Sequence, residues 1–550
     1  MPSRLDSLVD DALQFLWRNA PMHATAAGVH DHDHRLADFD ATALAARVSG
    51  FYRLRDAADR LRQGSPALTP DEALDAGVLR DSMETEGRML EEVRLPFRDP
   101  SVYLEEILYG VYYLVQRDFA PLEQRVRAIT GRLSEVPRLL RQAGANLGRP
   151  EEIPAPWVDA ALKQLGGSLA FLREMNGELV PGAGAAGRDL RTTLSTAVEA
   201  LEDFGRLLTE RLVTRARGDY GIGRSMFDFL LRRQHGLETD ADDLHAFGVE
   251  QVAHTQEQLA AAVRGLDAKR SWRELVTVWK ADHPERSGFA EAYRKEVSRA
   301  RAFVREHAIA SIPDDERLLV TETPSFHRSI CPFAAYLAPG PFESMSEGVF
   351  WVTPPGEDDP PENQARHLQD HPLAGIPGTT VHESYPGHHL QLSVAHGIAS
   401  RVRRYFSTAV MVEGWAFYCE QMMGEAGFYT DPRSRVLQLK DQLWRSCRVV
   451  IDVGLHTRGM SLEEASGMLH EVACLERSSA AGECLRYCRT PTQPMSYAVG
   501  KREILRLRED YRRLRGGAFT LREFHDRLLS FGSIPVARIR ERLLEAAASR

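Results

Sequence analysis

Cysteine is scarce: six residues in 550 are too few and too scattered for the disulfide framework of a small secreted scaffold. No apolar stretch approaches the roughly 20 residues that span a bilayer. The opening MPSRLDSLVDDALQFLWRN carries acidic residues where a signal peptide needs an unbroken apolar core. There is no cationic excess, because 69 basic against 78 acidic residues give a net charge of −9; a phosphate-attracting surface is therefore not expected. Glycine (41) and proline (29) stay near average, which removes the collagen-like and low-complexity classes. The expectation is a soluble, cytoplasmic, enzyme-sized protein with neither nucleic acid nor membrane as partner. The sequence does not decide its oligomeric state.

Up to about residue 310 apolar residues recur at three- and four-residue intervals, as in LDSLVDDALQFLWRN and LRTTLSTAVEALEDFGRLLTERLVTRAR. That is the pattern of amphipathic helices. Breakers at Gly64-Ser65-Pro66, at Gly148-Arg149-Pro150 and over Pro181–Gly187 separate the helices, and no fixed period marks a solenoid. Past Ile312-Pro313 the segments RLLVTETPSF and EGVFWVTPP are short, rich in β-branched and aromatic residues, and bounded by Pro or Gly, which predicts strands. A Pro-rich acidic loop over 354–364 follows, and helical patterning then runs to the C-terminus. The expected architecture is mostly α with one small sheet, divided into a helical lobe over 1–310 and a second region over 311–550. Cys484 and Cys488 stand one helical turn apart and could share a metal, but ordinary buried thiols are the simpler expectation.

Residues 379–392 read TTVHESYPGHHLQL. His382-Glu383 followed by two further histidines invites comparison with H-E-x-x-H, in which histidines one turn apart bind zinc beside a basic glutamate. In a regular helix the spacing fails. His388 would point about 120° away from His382, and His389 would sit about 10 Å further along the axis. Pro386 and Gly387 offer a resolution, since proline breaks the helix and glycine accepts irregular torsions. A bulge absorbing two extra residues brings His388 to the fourth-position site. His388 is then the second ligand, and His389 packs or supports from behind.

A catalytic zinc needs a third protein ligand and an open position. Downstream, AVMVEGWAFYCEQMMGEAG carries Glu413 and Glu420, seven residues apart and on one helical face. Glu413 is the expected third ligand, with Glu420 as its support or its replacement. A glutamate among apolar neighbours is costly unless paired or metal-bound.

HESYPGHHLQ followed by EGWAFYCE resembles the bacterial family labelled domain of unknown function 885, grouped with zincin-like metallopeptidases. The resemblance continues through DVGLHTRGMSLEEA and PTQPMSYAVGK and so covers roughly residues 310–505. Helical gluzincins such as the thimet oligopeptidases and carboxypeptidase Taq use H-E-x-x-H with a downstream glutamate. Dipeptidyl peptidase III expands the motif by one residue; this chain expands it by two. The resemblance implies a two-lobed, mostly helical zincin-like fold with its small sheet next to the metal-site helix and one zinc ion at the floor of a cleft.

Further residues complete the expected site. Arg448, Asp452 and His456 share one face of the helix LWRSCRVVIDVGLH. Arg448 is a candidate for binding a substrate carboxylate, and His456 for stabilising an oxyanion. Tyr497, after PTQPMS, is the candidate hydroxyl donor to the tetrahedral intermediate, as tyrosines are in helical gluzincins. The strand candidate Gly348–Thr353 could present an edge to an extended peptide. The expected function is zinc-dependent amide hydrolysis, most simply of peptides. His382, His388 and Glu413 hold the ion, and Glu383 is the general base acting on a zinc-activated water. Hydrolysis of a small amide or biosynthetic intermediate is the alternative, as is a non-catalytic helical scaffold with a structural metal.

Overall fold

Capping residues start the helices where the sequence offers Ser or Thr three residues before an acid. Reciprocal capping boxes join Ser3 to Asp6 ahead of the helix Arg4–Asn19 and Thr69 to Glu72 ahead of Pro70–Arg88. The same device begins Trp272–Trp279 and Leu462–Glu471. Each box satisfies donors that a helix N-terminus leaves orphaned. The computed structural model describes residues 3–548 apart from 65–67, 117, 180–183, 324–327, 329–330, 332, 345–346 and 358. The Ser65-Pro66 breaker, the start of the Pro181–Gly187 stretch and most of the TPSF end of the first strand candidate lie outside the described residues.

Two compact units emerge: Met1–Tyr220 with Gly340–Ser344, and Gly221–Pro339 with Met345–Arg550. The first has helices and no strand among its described residues. At its centre the fully buried guanidinium of Arg132 donates to the carbonyls of Arg35, Gly110 and Pro21 and to the Thr25 hydroxyl. Such saturation is what makes a buried charge tolerable.

The division falls at residue 220, not near 310 where the sequence texture changes. The reason lies in packing. Phe227, Leu231 and Leu244 share one core with Val410, Val449, Val453, Met495 and Val499. Leu259, Val263, Trp272 and Leu275 share another with Val436, Leu439 and Leu443. Helical periodicity marks an apolar face but not the partner that covers it.

The second unit holds a three-stranded sheet of order β1-β3-β2, with β1 (Arg317–Glu322), β2 (Ala334–Leu337) and β3 (Glu347–Val352). β1 runs parallel to β3 and β2 antiparallel to it. The expectation that Gly348–Thr353 offers an edge is overturned: β3 is the central strand, paired on both sides, and its backbone has no free ladder. β2 is one of the edges. Four residues reading AAYL carry too little alternation to announce a strand.

Two helices cross closely in this unit, Ala409–Glu425 and Ser496–Arg515. A Cβ at Gly500 would lie 1.9 Å from the Val410 carbonyl oxygen and 2.6 Å from the Gly414 Cα. Only two glycines let the backbones approach so far. The crossing sets the position of Glu413, beside Gly414, and of Tyr497, one turn before Gly500. Gly500→Ala should therefore cost about 1–3 kcal/mol by overpacking, read as a lowered urea midpoint; an unchanged midpoint would show that the crossing is looser than described.

Candidate metal centre

The helix Ile376–Glu383 stops after His382-Glu383, and a second helix, His388–His396, starts at the next histidine. Between them the peptide bond Tyr385–Pro386 is cis. The Gly387 N–H donates to the Val381 carbonyl at 3.1 Å and the Leu390 N–H to the Ser384 carbonyl at 3.4 Å. Both bonds reach back six residues instead of the helical four. The segment thus absorbs two residues, as the motif spacing predicts, although it does so by ending one helix and beginning another. A Cβ at Gly387 would sit 2.0 Å from the His382 carbonyl oxygen, so no other residue fits there without displacement.

His382 and His388, each 8% exposed, meet with their rings at 89° and centroids 4.8 Å apart. Their Nε2 atoms lie 3.6 and 3.4 Å from Oε2 of Glu413. One ligand atom from each residue lies within 4.8 Å of the others, and no second group of three such residues occurs among the described residues. Tetrahedral zinc with bonds near 2 Å places its ligands about 3.3 Å apart, so the spacing fits a single small ion. The His388 Nδ1 is buried and has no hydrogen-bond partner.

On the far side of His382, Nδ1 donates to Glu420 Oε1 at 2.8 Å. That leaves Nε2 facing Glu413, and it resolves the two carboxylates: Glu413 completes the trio, and Glu420 orients its first histidine. Burial pulls the His382 pKa down, but Glu413 and Glu420 outweigh it and hold the imidazole at about 10. The same two histidines keep the Glu413 carboxyl well below the usual range in spite of its desolvation. A metal ion bound here would have to displace the proton that the two carboxylates favour on His382.

His389 belongs to a different network. Fully buried, it donates from Nε2 to Glu316 Oε2 at 2.6 Å, and the Tyr336 hydroxyl donates to its Nδ1 at 3.1 Å. Glu316 also accepts from the Tyr385 hydroxyl at 2.7 Å and from Arg301 at 2.9 Å. Burial would raise the Glu316 pKa, but these three donors bring it below its ordinary value. Glu316 thus anchors the turn from the strand side. Nothing in the sequence around DDERLL singles it out. From the other side, Trp415 of the EGWA segment donates its Nε1–H to the Pro386 carbonyl at 2.8 Å.

Glu383 ends its helix partly exposed, and its Oε2 accepts the Tyr336 N–H of β2 at 3.1 Å. The Tyr497 ring stacks on His382 at 6.1 Å and 16°. Desolvation first, and then the Glu413 charge, raise the pKa of its hydroxyl. Arg448 contacts Tyr497 from behind, with its guanidinium carbon 4.8 Å from the ring centre. His456 is not brought to this cluster. Its Nε2 donates to the Tyr487 carbonyl at 3.1 Å, and the ring packs on Phe227. Its neighbour Asp452 accepts the N–H groups of Thr492 and Met495 and so fixes the turn that leads into Tyr497.

A family profile described as a bacterial protein of unknown function, DUF885, matches residues 21–543. A solved candidate lipoprotein of unknown function from Shewanella oneidensis superposes with a TM-score of 0.82 at 24% identity, covering 99% of this chain and 100% of that one. Another candidate lipoprotein, from Colwellia psychrerythraea, gives 0.82 at 18% identity, with full coverage of both chains. Comparison with curated proteins returns no match. The likenesses extend to the whole fold and carry no assigned chemistry with them.

Two outcomes follow from the geometry. His388→Ala should abolish zinc retention after dialysis, whereas His389→Ala should keep the metal and lose about 1–3 kcal/mol of stability as Glu316 loses a buried partner. Metal analysis and thermal melts of both variants read this directly, and reversed results would refute the ligand assignment. Glu420→Ala should weaken zinc binding about 10–100-fold without abolishing it, measured by competition with a chromogenic chelator. Unaltered affinity would mean that Glu420 does not orient His382.

Proposed function

The chain belongs to the bacterial family of unknown function DUF885, and we propose that it is a zinc-dependent, zincin-like hydrolase of amide bonds that acts on peptides. The observation that carries this reading is the convergence of His382, His388 and Glu413, with Glu383 following His382 in the chain and its charge acting on that imidazole. A zinc ion held by that trio would supply Lewis-acid chemistry, polarising a carbonyl and lowering the pKa of a water.

The protein's own groups supply the rest. Glu383, steered by the Tyr336 N–H and open enough to reach solvent, takes the proton of the attacking water and hands it to the departing amine. Tyr497, lying against His382, donates its hydroxyl proton in a hydrogen bond to the oxyanion. The edge strand β2, one residue of which already positions Glu383, can align an extended chain by backbone pairing. His456 takes no part, since it serves the Tyr487 carbonyl instead. Five of the six cysteines are buried, which suits a reducing cytoplasm; the lipoprotein descriptions of the two structural neighbours make the cell envelope the alternative.

The test is Glu383→Gln, which keeps shape and removes the basic carboxylate. Peptide hydrolysis should fall about 10²–10⁴-fold while zinc content and melting temperature stay near those of the parent. A variant with zinc, fold and full hydrolytic rate would overturn the mechanism.

A further inference from the structure

Arg445 and Arg448 stand three residues apart on the helix Pro432–Thr457, a spacing that puts them on one face. Their guanidinium carbons pack against the same two rings. They lie 4.2 and 4.4 Å from the Trp444 ring centre and 5.6 and 4.8 Å from that of Tyr497. Tyr497 in turn stacks on His382. One aromatic ring therefore separates the two cations from a residue of the metal trio.

Neither guanidinium is saturated. Arg448, 4% exposed, donates from Nε to the Tyr487 hydroxyl at 2.5 Å and from Nη2 to Glu483 at 2.9 Å. Its Nη1 is buried without an acceptor. Nε and Nη1 of Arg445 are likewise buried without acceptors, and the nearby Asp441 oxygen, at 3.9 Å, is beyond hydrogen-bond reach. Asp441 is engaged by Lys440 at 3.0 Å, and Glu483 is shared with Arg486, also at 3.0 Å. Three donor nitrogens on two adjacent cations thus lack acceptors, against the faces of Trp444 and Tyr497. Unpaired buried donors are costly, and the guanidinium fork matches the planar carboxylate.

Resting on the amide-hydrolase reading, we propose that Arg445 and Arg448 form an anion subsite for the free C-terminal carboxylate of the substrate, so that the enzyme cuts short peptides close to their C-terminal end. The distance supports this. Across the Tyr497 ring the Arg448 guanidinium is at most about 11 Å from the His382 ring, the reach of about three residues of extended chain at roughly 3.3–3.6 Å each. An acidic side chain offers the same chemistry, and the test separates the two sources.

The experiment uses zinc-loaded Glu383→Gln protein, which binds without turnover, and calorimetric titration with three probes: acetyl-Ala-Ala-Phe as the free acid, the same peptide as its amide, and acetyl-Ala-Glu-Phe amide. The free acid should bind about 10–100-fold more tightly than its amide. Arg445→Gln in the same background should remove most of that preference, and so should Arg448→Gln. Because Arg448 also holds Glu483 and Tyr487, Arg445→Gln decides the matter should the other variant fail to fold. Equal affinity for acid and amide, or binding of neither, overturns the subsite. A glutamyl amide that binds as tightly as the free acid overturns the C-terminal assignment in favour of a side chain. Parallel turnover by the parent enzyme keeps the two readings apart. Equal kcat/KM for acid and amide sinks the subsite and leaves the hydrolase standing, whereas a retained acid preference in binding with no hydrolysis of either peptide sinks the hydrolase alone.

Discussion

The carbonyl oxygen of His382 lies so close to Gly387 that a single added carbon would be 2.0 Å from it, and the geometry of the centre follows from that contact. The chain can fold back over the end of its own helix only because residue 387 has no side chain and residue 386 has no N–H to satisfy. Two backbone hydrogen bonds, each spanning six residues, then lock the turn. His388 is carried to within ligand distance of His382, and His389 is turned away toward Glu316. A regular helix through this segment would separate the first pair and leave the second without a function.

One neighbouring helix answers each feature of that turn. Along Ala409–Glu425, Glu413 faces the two imidazoles, Trp415 donates to the Pro386 carbonyl, and Glu420 holds the remaining nitrogen of His382. These three side chains act together because the helix itself cannot slide. Its backbone is pressed against that of Ser496–Arg515 at Gly414 and Gly500. The same crossing brings Tyr497 onto His382. Backbone proximity, set by two absent side chains, thus positions the carboxylates and the tyrosine in one register.

Charge is distributed around the centre with a consistent sense. Two carboxylates bracket one buried histidine and hold a proton on it, which a divalent cation would have to displace in order to bind. Beyond the Tyr497 ring the balance reverses, with two guanidiniums carrying unpaired buried N–H groups. A cluster of imidazoles and carboxylates and a pair of guanidiniums thus stand on either side of the Tyr497 ring.

The sequence by itself determines the mostly helical class, the two strands over 317–322 and 347–352, and the grouping of His382, His388 and Glu413. These depend on spacing within a short segment: periodicity, a proline at a known offset, a carboxylate in an apolar helix. The two-residue expansion is legible for the same reason. The division of labour between Glu413 and Glu420 is not, because residues seven apart share a helical face and only the approach angle of His382 tells them apart. The unit boundary at 220, the four-residue strand β2, the central place of β3 and the anchoring role of Glu316 are likewise decided by tertiary structure. Each rests on a partner distant in the chain: residues 227–244 against 410–499, 336 against 383, 316 against 389. A local pattern records which surface must be covered or which group must be paired, but not what arrives to do it. His456 shows the converse: a residue on the expected face of its helix, it is claimed by the Tyr487 carbonyl before it can reach the centre.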